Sequence, residues 1–101
     1  MSEWKYFMIE ITYLIPAEQM VEITTKHRAF LKDGYECGWL LISGPQVPRT
    51  GGLVVGRAPS LEAIQGLFSN DPYQVEKVAT YRFVEFNPIF RQAFLEDWIN
   101  Q

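Results

Sequence analysis

The order of the periodic segments along the chain limits the possible folds more than any other feature. Residues 4–14 are rich in aromatic and β-branched side chains, which favour a strand. Residues 17–33 repeat apolar side chains at helical spacing, and Pro16 suits the first turn of such a helix. Two strand patterns, a second helix and a last strand follow at residues 39–43, 53–56, 61–68 and 79–86.

The order strand, helix, strand, strand, helix, strand is that of the split βαβ pattern of ferredoxin-like folds. We therefore predict an α+β domain over residues 1–88, with a four-stranded antiparallel sheet and both helices on one face. The strand order 4-1-3-2 of this fold places the first and third strands at the centre. Gly34 is expected to stop the first helix, and Ser60 to cap the start of the second.

The chain continues beyond the last predicted strand. Phe90, Phe94 and Trp98 lie four residues apart, which predicts an amphipathic helix over residues 89–99. This C-terminal helical extension, residues 89–101, is expected to dock through its aromatic side chains, on its own domain or across a dimer.

The predicted strands carry apolar side chains on both faces. Strict alternation puts Leu40 and Ile42 on one face of the second strand, opposite Leu41, and sets Val84 opposite Tyr81 in the last strand. Because two helices can cover only one face, we predict a homodimer in which a second copy covers the other, sheet against sheet. The alternative is a scatter of exposed apolar residues, which is normal on protein surfaces.

Composition excludes several classes of partner. The formal net charge is −3 and no Lys/Arg run is present, so neither nucleic acid nor an anionic membrane surface is predicted as a partner. No apolar run approaches the ~20 residues that a membrane span requires. The single cysteine, Cys37, cannot form an intrachain disulfide, and the charged N-terminal residues do not resemble a signal peptide. We therefore predict a cytoplasmic location.

His27 is the only histidine and lies on the apolar stripe of the first helix. An imidazole has an unperturbed pKa of ~6.5 and suits general acid–base catalysis, although a hydrogen-bonded core histidine is an alternative. Asp71 precedes Pro72, where it could cap a turn or orient the imidazole of His27. Both roles can hold together, because the end of the second helix can approach the middle of the first.

Residues of the second strand and the following loop could bind a ligand. Ser43 and Gly44 close the strand, and Gly44 would let a ligand approach the backbone, although a plain turn before Pro45 is an alternative. Arg49 could bind a substrate carboxylate through its forked donors or be solvated. Tyr73 and Tyr81 could line the pocket or belong to the core.

Metal and cofactor chemistry is not predicted. One histidine and one cysteine, ten residues apart, do not make a structural zinc site. The glycine-rich stretch 51–56 leads into a strand and not into a helix, so it does not match a phosphate-binding loop.

Four segments carry a resemblance to a known family: Lys-His-Arg-Ala-Phe-Leu at 26–31, Ser-Gly-Pro-Gln at 43–46, Arg-Thr-Gly-Gly at 49–52 and Asp-Pro-Tyr at 71–73. In this order they resemble the YCII-related (YciI-like) family over about residues 6–86. The resemblance implies a ferredoxin-like domain that dimerises into an α/β barrel, a shape related to muconolactone isomerases and small cofactor-free oxygenases. It also implies that His27 and Asp71 form an active-site pair.

Two functions are compatible with these residues. The first is a cofactor-free enzyme that moves a proton on a small organic acid, lactone or related carbonyl compound, with His27 as acid or base and Asp71 as its orienter. By analogy with one branch of the resembled family, dehalogenation is among the possible reactions. The second is a non-catalytic dimeric module that binds a small ligand or a protein. A ligand-accessible cavity at His27 would favour the enzyme, and a ring with both nitrogens bonded to protein would favour the module.

Overall fold

The computed structural model describes residues 3–101, and these form an α+β fold. The strands are β1 (Lys5–Tyr13), β2 (Leu40–Pro45), β3 (Gly51–Ala58) and β4 (Ala79–Phe86). The α-helices are α1 (Val21–Glu36), α2 (Leu61–Phe68), α3 (Pro72–Val75) and α4 (Glu96–Ile99). Short 3-10 helices precede α1 and α4 at Ala17–Gln19 and Ala93–Leu95. None of the helices within residues 3–101 is long and apolar enough to cross a membrane.

All four strands form one antiparallel sheet in the order β2-β3-β1-β4. The predicted central position of the first and third strands is therefore confirmed, and with it the ferredoxin-like topology. On β1, Ile9 stands directly between Val54 of β3 and Phe83 of β4. The core lies between this face of the sheet and the helices α1, α2 and α3. Its most deeply buried members include Phe7, Ile9, Ile11, Met20, Ile64, Phe68 and Tyr73.

The first helix ends later than its glycine predicted. A Cβ at Gly34 would lie 2.6 Å from a side-chain carbon of Leu40, so this glycine permits close packing of α1 against β2. The helix continues to Glu36, and Gly38 takes the left-handed conformation beyond its end, with φ of +83°. The predicted N-cap of α2 is confirmed, because the Ser60 hydroxyl accepts a hydrogen bond from the amide of Ala63.

A β-bulge in β2 changes which face of the sheet its side chains point to. Leu40 pairs with Gly56 and Ile42 pairs with Val55, so Leu41 is an extra residue in the ladder. Leu40 therefore points into the core at 3% exposure, whereas Ile42 points to the opposite face at 63%. The prediction that these two residues share a face is wrong, because strict alternation does not hold across a bulge.

The face of the sheet away from the helices, which we call the open face, is apolar at its centre. Ile42, Val55, Met8 and Val84 stand opposite one another across all four strands. Most of these side chains remain accessible in the single chain, with Met8 at 42% and Val84 at 36%. Neither the helices nor the C-terminal residues cover this row.

The predicted helix over residues 89–99 is wrong. The chain has no helix at residues 87–92, and only one helical turn follows at Glu96–Ile99. Arg91 donates to the carbonyl of Pro88 at 2.9 Å and pairs with Glu96 at 3.0 Å, which holds this segment in a compact turn. Phe90 and Phe94 are 97% and 80% exposed and do not dock on their own domain.

Trp98 does dock, and it fixes the end of the chain. Its indole N–H donates to the carbonyl of Gly38 at 3.0 Å, and its ring stacks on the Arg57 guanidinium at 4.6 Å. Trp4 stacks on the same guanidinium at 4.2 Å. The Tyr6 hydroxyl donates to the carbonyl of Ile99 at 2.8 Å. These contacts cover one end of the open face with the chain's own C-terminal turn.

Candidate functional site

A cavity of about 180 Å³ lies between α1, the β2–β3 edge of the sheet and the loop that joins these strands. Pockets for drug-sized ligands measure ~300–1,000 Å³, so this cavity suits a compact molecule. Six of the seven predicted site residues line it, namely His27, Ser43, Gly44, Pro45, Arg49 and Tyr73. The seventh, Asp71, lies behind His27 and is fully buried.

His27 and Asp71 are hydrogen-bonded. The ring nitrogen Nδ1 of His27 lies 2.8 Å from Oδ1 of Asp71 and 2.9 Å from Oδ2. His27 reaches this position from the middle of α1, and Asp71 from the N-cap of α3, directly before Pro72. The predicted distance between the two side chains is therefore confirmed, whereas their role in catalysis stays a prediction.

Three donors surround the Asp71 carboxylate. The amide of Tyr73 donates to Oδ1 at 3.1 Å, and the Tyr81 hydroxyl donates to Oδ2 through a short hydrogen bond. Burial, and then this bond to Asp71, raises the pKa of Tyr81, so its hydroxyl keeps its proton. An ionised carboxylate only accepts hydrogen bonds. His27 must then be the third donor, with its proton on Nδ1.

The second ring nitrogen of His27 is open to the cavity. Within residues 3–101, Nε2 of His27 has no hydrogen-bond partner. Every side-chain nitrogen and oxygen that is buried in this range does have a partner, so Nε2 is not among the buried atoms. Nε2 is therefore accessible, and His27 lines the cavity. With the proton on Nδ1, Nε2 carries the free lone pair of the neutral ring.

Tyr73 fixes the plane of the imidazole. Its ring stacks on His27 with centroids 3.9 Å apart and planes 10° apart. Its hydroxyl is hydrogen-bonded to the Thr24 hydroxyl at 2.6 Å, one turn before His27 on α1. Burial raises the pKa of Tyr73 to about 12, so this hydroxyl is neutral at physiological pH. The predicted pocket residue is thus both part of the core and part of the cavity wall.

The end of β2 forms the wall opposite α1. The Ser43 hydroxyl lies 2.6 Å from the hydroxyl of Tyr35 and lines the cavity together with Pro45. Apart from its two chain neighbours, no residue has an atom within 4 Å of the position that a Cβ would take at Gly44. The space beside this backbone is therefore open, and its contact with a ligand stays a prediction.

Arg49 lies in the loop between β2 and β3, at the exposed mouth of the cavity. Its Nε donates to the Tyr13 hydroxyl at 3.5 Å, and this bond raises the pKa of Arg49. Among residues 3–101 it forms no ion pair with an acidic side chain. The guanidinium is therefore charged and has donors available for an anion.

Sequence reasoning did not assign Thr24 or Arg28 to the site, whereas it named Tyr81 as a possible pocket residue. Thr24 lies one turn before His27, so the helical period could have indicated it. Arg28 follows His27 and lines the cavity from its rim. Alternation on β4 places Tyr81 on the face of the sheet that the helices cover, but no sequence pattern indicates its bond to Asp71. Residues 3–101 contain no group of three or more His, Cys, Asp or Glu side chains that could hold a metal ion.

The fold and the cavity define a class of small ferredoxin-like domains with a buried histidine–aspartate pair beside a compact cavity. A family model described as the YCII-related domain matches residues 6–87. The chain therefore belongs to the YCII-related family. No curated protein sequence matches the chain well enough to count as a relative.

Two of the solved structures that share this fold match most of the chain. One is 5-chloro-2-hydroxyhydroquinone dehydrochlorinase (TftG) from Burkholderia phenoliruptrix in complex with 2,5-dihydroxybenzoquinone, at 15% identity and a TM-score of 0.64. The match covers 88% of this chain and 96% of that one. The other is a variant of SnoaB, a cofactor-independent oxygenase from Streptomyces nogalater, at 7% identity and a TM-score of 0.53. It covers 91% of this chain and 99% of that one. At these identities the likeness concerns the fold alone.

Proposed function

We propose that this chain is a cofactor-free enzyme that performs acid–base chemistry on a small organic acid, lactone or related carbonyl compound. One observation carries the proposal: His27 presents Nε2 to a compact cavity while a fully buried carboxylate holds Nδ1. The alternative of a non-catalytic module is disfavoured, because that function predicts a ring with both nitrogens bonded to protein.

In the proposed reaction, Nε2 of His27 takes a proton from a carbon next to a carbonyl group, or from a hydroxyl. The imidazolium that forms is stabilised by Asp71, whose carboxyl oxygens bond Nδ1 of His27, the Tyr73 amide and the Tyr81 hydroxyl. His27 then returns the proton to another atom of the substrate or to a leaving group. Isomerisation, elimination and loss of halide are all reactions of this type.

The remaining predicted residues would position the substrate. The Ser43 hydroxyl can donate to a carbonyl or enolate oxygen, since Tyr35 can in turn donate to Ser43. Arg49 would bind a carboxylate at the mouth of the cavity. The open backbone at Gly44 leaves room for the ring or chain of the substrate, and Pro45 and Tyr73 complete the wall. The activities of TftG and SnoaB support small-molecule chemistry in this fold and suggest quinols among the compounds to be tested.

The test is a comparison of turnover between the unmodified chain and His27→Asn over lactones, 2-oxo acids and halogenated hydroquinones. A lost general acid–base group typically costs ~10²–10⁴ in rate. We expect a loss of this size for His27→Asn on any substrate that the chain turns over. We expect no loss for the control Lys32→Gln, at an exposed position of α1 that does not line the cavity. A His27→Asn variant that keeps its full rate would refute the proposal.

We also propose that the chain forms a homodimer through its open faces. The apolar row across all four strands supports this, because contiguous apolar surface is unusual on a monomer. A second copy presents the same row, so a two-fold arrangement would bury both. Light scattering at micromolar concentration should give twice the chain mass of 11.7 kDa.

A further inference from the structure

A second cavity adjoins the first. It also has a volume of about 180 Å³, and its lining consists of Ala17, Val21, Thr24, Thr25, Arg28 and Arg49. Thr24 and both arginines line the first cavity as well. The two arginines, one from α1 and one from the β2–β3 loop, therefore stand at the junction of the two cavities.

The charges at this junction are all of one sign. The chain has 12 acidic and nine basic side chains, yet no aspartate or glutamate lines either cavity. Among residues 3–101, neither Arg28 nor Arg49 takes part in an ion pair. Asp71, which lies behind His27, is already bonded to three donors. Both guanidinium groups therefore have donors available for an anion that binds at this junction.

We infer that the site selects an anionic substrate, whose carboxylate binds at the junction to Arg28 and Arg49 while its reacting part enters the cavity at His27. The inference rests on the proposed function and deepens it, since it excludes neutral lactones and neutral carbonyl compounds as preferred substrates. The second cavity, with Ala17 and Val21 in its wall, accommodates a small apolar substituent on the other side of the carboxylate. Arg28 thereby becomes a specificity residue that the sequence did not indicate.

The experiment measures binding and needs no known reaction. Acetate, malonate, benzoate and benzamide are titrated into the chain and followed by NMR chemical shifts or calorimetry. Benzamide has nearly the shape of benzoate without its charge, so it is the matched neutral probe. A hydrogen bond to a charged group contributes enough for about a tenfold change in affinity. We expect benzoate to bind at least tenfold more tightly than benzamide, and its affinity to fall as salt is raised.

The variants assign the effect to the two arginines. Arg28→Gln and Arg49→Gln should each weaken benzoate binding about tenfold and leave benzamide binding unchanged. Arg28→Lys and Arg49→Lys should restore part of the affinity, because they keep the charge and lose the fork. Lys32→Gln, at an exposed position of α1 that lines neither cavity, should bind benzoate as the unmodified chain does. Equal affinities for benzoate and benzamide, no effect of either arginine variant, or no binding of any of the three carboxylates would overturn the inference.

Failure of this inference can be told apart from failure of the proposed function. His27→Asn tests the chemistry through turnover, and the arginine variants test the anion site through the benzoate titrations. If turnover proves independent of His27 while benzoate binding depends on the arginines, the proposed reaction fails and the anion site stands. If turnover depends on His27 while benzoate binding is indifferent to the arginines, the anion site alone fails.

Discussion

The hydrogen bond from Tyr81 to Asp71 can be removed with little change in packing. Tyr81→Phe deletes only the hydroxyl, and the ring keeps its neighbours Phe68 and Phe83, whose centroids lie 5.7 and 6.1 Å away. Asp71 has no exposed surface in the intact protein, so its carboxylate depends on protein donors for its hydrogen bonds. A hydrogen bond to a charged group contributes about 1.5–3 kcal/mol to the free energy of unfolding. At about 4 °C per kcal/mol for a domain of this size, Tm should fall by roughly 6–12 °C.

The control is Tyr35→Phe. This tyrosine also donates or accepts one side-chain hydrogen bond, to Ser43, but the pair is exposed to water. Its loss should change the free energy of unfolding by about 0.5 kcal/mol or less. Urea denaturation of both variants provides the comparison. If Tyr81→Phe costs no more than Tyr35→Phe, then Tyr81 does not hold the carboxylate, and the argument that Asp71 is fixed by three donors fails.

Three further predictions concern the dimer, the core and the C-terminal turn. Val84→Asp should yield a folded monomer of 11.7 kDa, because an unpaired charge buried at the interface costs several kcal/mol. If the variant still forms a dimer, the open face is not the interface. Burial raises the pKa of Tyr73 to about 12 from ~10 in the unfolded chain, so the folded state binds more protons and the free energy of unfolding should fall as pH rises from about 10 to 12. Tyr73→Phe should reduce this fall in a series of urea titrations, and an unchanged slope would contradict the assignment. Trp98→Ala should lower Tm by several degrees while Phe90→Ala leaves it unchanged, and a large effect of Phe90→Ala would place this exposed ring in the interface between subunits.

The sequence predicted those parts of the fold that local periodicity determines. The apolar stripe of α1 placed His27 toward the core, and the alternation of β1 placed Phe7, Ile9 and Ile11 on one buried face. The pairing of His27 with Asp71 came from the resemblance to the YCII-related family, because 44 residues separate the two in the chain.

Other parts depend on contacts between distant segments, which periodicity does not indicate. The bulge at Leu41 changes which face of the sheet the side chains of β2 point to. Gly34 stays within α1 because Leu40 packs against it. The C-terminal segment has the apolar spacing of a helix, yet only its last part forms a helical turn, at Glu96–Ile99. The end of this segment is held by Trp98, which stacks with Trp4 on the Arg57 guanidinium. The contacts of Tyr81 and Arg28 with the site likewise follow from the tertiary fold.

The central claim is that the neutral ring of His27 carries its proton on Nδ1 and leaves Nε2 free to exchange protons with a substrate. Nitrogen-15 NMR of the ring measures this directly, because a protonated and a bare ring nitrogen resonate far apart. The chain has a single histidine, so the signals need no separation from others. In a spectrum of the neutral ring, we predict a protonated Nδ1 bonded to Asp71 and a bare Nε2. A neutral ring protonated on Nε2, with a bare Nδ1, would contradict the account.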